Sequence, residues 1–215
     1  MDQQFANLPW SISVDSADDD YTPLEDNDDL LALQFGVFDD SFLCKQHARV
    51  NAVNWRILDS NRWKRQPGGG EFSYYNRNDQ KNALAASGSN GVAFEDAAKE
   101  FHITYMIGND QPRYQPIERI KSAGMATGYR FHVTSAVVHQ GDLWLEVTNN
   151  GVAPIYRDAY FAAGEKRSET SLRGLRPGAT LECTVPGVSE RDLKQIAIQC
   201  DAILATQRIQ FDANL

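Results

Sequence analysis

Hydrophobic residues follow two different rhythms along this chain. Up to about residue 118 they come in continuous or helically spaced groups, and beyond about 120 they alternate singly with polar residues. The run LLALQFGVF (residues 30–38) is continuous, which predicts a strand buried on both faces and ending at Asp39-Asp40-Ser41. RVNAVNWRILDSNRW follows, with Val50, Val53, Ile57 and Leu58 on one face of an amphipathic helix. Pro67-Gly68-Gly69-Gly70 leads into EFSYY, read as a third strand or as a loop at a strand end. Asn90 is the expected N-cap of GVAFEDAAKEF, whose Phe94, Ala97, Ala98 and Phe101 share one side. HITYMI (residues 102–107) reads as a strand closed by Gly108-Asn109-Asp110. Strand, helix, strand, helix, strand is the signature of parallel βα units.

In the second part, Tyr129, Phe131 and Val133 alternate with polar residues, Gln140-Gly141-Asp142 forms a turn, and Leu143, Leu145 and Val147 alternate again. This predicts a β-hairpin. APIYRDAYFAA, ATLECTV, LKQIAIQCDAIL and RIQFDANL add strands at regular spacing with Gly and Pro between them, so an antiparallel β-sandwich is expected. The fold class is α/β plus all-β. The βα segment with its acidic front occupies residues 1–118 and the sandwich 119–215, with the PRYQP segment around Pro112 and Pro116 as the linker.

Charge narrows the range of partners. Of the 29 acidic residues, eleven lie in residues 1–45 against a single Lys, and the net charge is −8. An acidic front without a compensating basic stripe argues against nucleic acid as a partner. No run of 18 apolar residues occurs, so no membrane partner is expected, and the start lacks the layout of a secretory signal, so the chain as written is expected in the cytoplasm, the alternative being a fragment whose own start lies upstream. Asp15, Asp18, Asp19, Asp20, Asp26, Asp28 and Asp29 have the oxygen density Ca²⁺ favours but lack the order of a calcium loop, so the expectation is a solvated face and no cofactor, with a Ca²⁺ site as the alternative. Cys44, Cys183 and Cys200 are read as buried free thiols.

Several short motifs carry a resemblance. FGVFDDSFL and PGGGE, then VTNNGVAPIYRDAYFAA and SLRGLRPGATLECTV, resemble a bacterial glycoside-hydrolase-like family of unknown function. In that family a β/α barrel precedes a β-sandwich, and here only three or four βα units are present where a closed barrel has eight. The resemblance implies a partial (β/α) barrel and a hydrolase with paired carboxylates at strand carboxyl ends. Glu71 is the candidate acid or nucleophile, and Asp39 or Asp40 its partner, because glycoside hydrolysis needs one carboxyl to protonate the leaving oxygen and another to attack or to activate water. Trp55, Trp63, Tyr74 and Tyr75, interleaved with planar polar side chains, form the candidate saccharide platform, with Asp110 at a further strand end. The alternatives are a non-catalytic carbohydrate-binding or structural module, and an ester or lactone hydrolase using the same cleft. The partner is therefore a carbohydrate or another small molecule. A barrel segment with few strands leaves sheet edges uncovered, so self-association is also expected.

Overall fold

Four parallel strands organise the first part of the chain. A computed structural model describes residues 10–17, 33–59, 61–204 and 206–213. Strands β1 (Ser11–Ser13), β2 (Gly36–Phe42), β3 (Gly68–Phe72) and β4 (Ile103–Ile107) lie side by side in sequence order, every neighbouring pair parallel. Between them come α1 (Ala48–Asp59), α2 (Arg77–Asn82) and α3 (Phe94–Glu100), and α4 (Ile117–Met125) follows β4. Consecutive parallel strands must be joined by crossovers, and helices that return the chain over one face bury that face. Val37, Phe42, Phe72 and Ile103 from the sheet and Trp55, Leu58, Phe94 and Ala98 from the helices share a single core.

Several boundaries differ from the expected ones. Strand β2 begins only at Gly36 and runs through Asp39, Asp40 and Ser41 instead of ending there, while residues 18–32, with most of the acidic run, lie outside the described residues. The glycine run is itself β3. A Cβ at Gly70 would stand 2.9 Å from the Asp39 carbonyl oxygen and 3.1 Å from the Phe42 Cβ, so only glycine lets β3 approach β2 this closely. The expected apolar face of α1 is rotated: Val50 and Val53 are 56% and 48% exposed, and Asn51, Asn54, Trp55 and Leu58 turn inward. That inward set recurs at helical spacing, and the two asparagines disguise it. Helix α3 starts after Ala93 without a side-chain cap, and Asn90 instead accepts a hydrogen bond from the Val92 backbone N–H (3.1 Å) within its own turn.

The two compact units of the chain divide between Gly128 and Tyr129, ten residues beyond the expected 118/119 boundary. PRYQP (residues 112–116) lies within the first unit and not between the two, and α4, which follows it, packs Ala123 and Ile120 into the first core.

The second unit has its own core, built from two sheets. One has the order β11-β5-β6-β9, with β5 (Phe131–His139), β6 (Asp142–Asn149), β9 (Thr180–Val185) and β11 (Phe211–Ala213). The other has the order β10-β7-β8, with β7 (Tyr160–Ala163), β8 (Lys166–Arg167) and β10 (Ile196–Gln199). β5 and β6 form the expected hairpin, turning at Gln140 (φ 53°) and Gly141 (φ 88°); two successive positive φ angles suit the right-handed twist of the strands. Phe131, Val133, Leu143, Leu145 and Val147 meet Phe161, Ala163, Cys183 and Ile198 in that core, and Trp144 faces solvent. All pairs are antiparallel except β11 with β5, which are parallel. The cysteines are unpaired, with Cys44 and Cys183 buried and Cys200 half-buried.

Candidate functional site

The register of β2 on β3 decides which carboxylates share a face. β2 and β3 pair as Phe38 with Gly69 and Asp39 with Gly70, and then as Phe42 with Phe72. Asp40 and Ser41 thus stand against Glu71 alone, the two-against-one arrangement of a β-bulge. Val37 and Asp39 point toward the helices and are buried, whereas Asp40 on the opposite face is exposed. On β3, Phe72 is in the core, and Glu71 takes the other face and is half-buried. Asp40 and Glu71 therefore project from the same face at the carboxyl ends of adjacent strands. Neighbouring strands lie roughly 4.8 Å apart, a scale compatible with the ~5–10 Å carboxyl separations of glycoside hydrolysis.

The same face carries aromatic surface. Phe38 and Tyr105 stack across the sheet with ring centroids 6.4 Å apart and planes inclined by 20°. The Tyr105 ring lies over Gly69, where a Cβ would come within 2.4 Å of it.

Asp39 does not join this pair, which corrects its expected role beside Glu71. Its Oδ1 accepts from the Ser41 backbone N–H (2.8 Å), the Ser41 hydroxyl (3.3 Å) and Asn51 Nδ2 (2.9 Å). Burial pushes its pKa up to about 6 from the ordinary 3.8, and the hydrogen bonds from Ser41 and Asn51 counter that only in part. Asn51 was missed from the sequence because the valines beside it drew the expected helix face one residue away.

The expected aromatic platform separates into three places. Trp55 is 3% exposed and packs against Phe42 and Phe101 in the helix-side core, so it lies on the other side of the sheet from Glu71 and is no part of a platform there. Trp63 stacks on His102 at 3.6 Å, and since these residues precede β3 and β4 they mark the amino end of the sheet, away from Glu71. Tyr74 and Tyr75 follow the carboxyl end of β3 and are 60% and 62% exposed, with Tyr75 leaning on His47 at 5.2 Å. Asp110 follows β4 at that same end and pairs with Arg113 (3.1 Å).

The loop bearing the tyrosines is anchored from beneath. Gln80 Nε2 donates to the carbonyls of Phe72 (2.9 Å) and Ser73 (2.6 Å), and Asn109 Nδ2 donates to Phe72 (2.6 Å). Asn76 accepts from the Asp79 backbone N–H (2.9 Å) and caps α2. Asn109 had no signal in the sequence, because its partner carbonyl lies 37 residues away; Asn76 caps a helix three residues on, a local pattern that passed unread.

Among the described residues no group of three or more His, Cys, Asp or Glu is arranged to hold a metal ion. No described helix is long and apolar enough to cross a membrane. No family model, curated protein or solved structure matches the chain.

Proposed function

We propose that this protein is a glycoside-hydrolase-like hydrolase, with β1–β4 as part of a (β/α) barrel and the second unit as a β-sandwich. The observation that carries the reading is the shared face of Asp40 and Glu71 at the carboxyl ends of adjacent parallel strands, where enzymes of this architecture keep their chemistry. Exposed Tyr74 and Tyr75 at the same end supply flat apolar surface of the kind that stacks on pyranose rings.

In this reading Glu71 donates its proton to the glycosidic oxygen as the bond to the anomeric carbon breaks. Asp40, more open to water, takes the proton of the water that attacks that carbon. An ester or lactone could use the same pair. A second reading, a saccharide-binding module without turnover, is favoured by the exposure of Tyr74 and Tyr75, which needs neither carboxylate.

A chromogenic glycoside screen combined with a glycan array separates the two. Glu71→Gln and Asp40→Asn should each lower turnover by about 10²–10⁴-fold while saccharide affinity persists. Binding that vanishes in the Tyr74→Ala/Tyr75→Ala double variant, with no turnover by the wild type on any glycoside or ester, would establish the module instead.

A further inference from the structure

On the other side of the sheet from Asp40 and Glu71, a cavity of about 320 Å³ opens between the end of β2, α1 and α3. Asp39 lines it, and Trp55 and Phe101 form an aromatic wall. Asp39 Oδ1 holds all three hydrogen bonds described above. Its Oδ2 makes none among the described residues, and it is not sealed off: the enclosed side-chain atoms without a partner are Trp10 Nε1 and Gln111 Oε1. A residue 4% exposed thus offers one carboxylate oxygen to the cavity.

Lys45 and Arg49 also line the cavity; both are exposed, and neither forms an ion pair among the described residues. Arg56, by contrast, is engaged by Glu100 and is not available in the same way. The cavity thus combines an acceptor, an apolar wall and two free cations. Its volume is at the small end of ligand pockets, which suits a single small molecule better than an oligosaccharide.

We propose that this cavity binds an α-amino acid with an apolar side chain, its ammonium on Asp39 Oδ2, its side chain against Trp55 and Phe101, and its carboxylate toward Lys45 and Arg49. Burial by itself pushes the Asp39 carboxyl toward its neutral form, and an ammonium seated beside it counters that by favouring the charged form of both groups. This site is independent of the hydrolase reading, since its residues point away from Glu71.

Calorimetric titration of the whole chain tests it with three probes: L-phenylalanine, phenethylamine, which lacks the carboxylate, and 3-phenylpropionate, which lacks the ammonium. Phenylalanine should bind saturably, and each truncated probe about tenfold or more weaker, the loss of one charge-assisted contact. Lys45→Gln with Arg49→Gln, both on the surface, should weaken phenylalanine about tenfold and leave phenethylamine unchanged. Asp39→Asn should remove the preference for ligands bearing an ammonium. Equal affinity for all three probes, indifference of phenylalanine to the Lys45/Arg49 double variant, or no binding of any probe at millimolar concentration would overturn the proposal.

Discussion

Asp39 holds a carboxyl in the helix layer, where its charge is poorly solvated, and this gives stability a specific pH dependence. Its folded pKa of about 6 lies above the ordinary 3.8, so the native state binds the extra proton between those values. The associated stabilisation is complete below about 3.8 and is lost as pH rises through about 6, on the order of 3 kcal/mol. Asp39→Asn keeps the shape and removes the titration. Its stability relative to the wild type should therefore rise by a few kcal/mol between pH 4 and pH 8 in urea unfolding, and a difference independent of pH would refute the assignment. Asn149 in the second unit makes a complementary case, being fully buried and using all its side-chain valences. Its Oδ1 accepts from the Arg130 (3.0 Å) and Gly151 (2.9 Å) backbone N–H groups, and its Nδ2 donates to the Ala153 (3.0 Å) and Leu175 (2.8 Å) carbonyls. The Asn-Asn-Gly-Val-Ala-Pro motif thus acts as a structural clasp at the end of β6. Asn149→Ala should cost about 3–5 kcal/mol, and Asn149→Asp should also destabilise because it cannot donate.

At the scale of elements, β3 is the most constrained segment of the first unit. Three consecutive glycines are poor strand formers in isolation, and β3 holds because neighbouring groups fill the space where side chains would stand. Gly68 faces the Trp55 ring, Gly69 lies under Tyr105, and Gly70 meets Asp39 and Phe42. Gly70→Ala would press a methyl group against backbone in β2 and should lower stability by about 1–3 kcal/mol. Gly69→Ala meets a ring that can swing, so it should cost less and displace Tyr105 from Phe38, a change visible in the aromatic chemical shifts. A Gly70→Ala variant as stable as the wild type would mean that β2 and β3 lie farther apart than 2.9 Å contacts require.

At the scale of the molecule, each unit closes a core from its own residues. The second core draws on both sheets between Phe131 and Ile209. Residues 129–215 expressed alone should therefore fold, with a cooperative thermal transition and dispersed amide resonances. A molten fragment that binds a dye for exposed apolar surface would contradict this independence.

The amino-acid sequence by itself determined the elements whose signals are local. The alternation in β5 and β6, the Gln140-Gly141 turn and the change of rhythm that separates parallel from antiparallel parts all depend on residues close together in the chain. Tertiary structure decided which neighbours those residues have. Asp39 and Asp40 are adjacent and chemically alike, and strand alternation sends them to opposite faces, but only pairing with a strand about 30 residues away decides that Asp40 is the one on the face of Glu71. Val53 and Trp55 are both apolar, yet Phe42 and Phe101 capture Trp55 while Val53 is left in water. Register between distant strands, and the rotation of a helix about its axis, follow from packing the whole layer at once. No local pattern carries that information, so the candidate site was legible as a set of residue types at strand ends but not as the pair that shares a face.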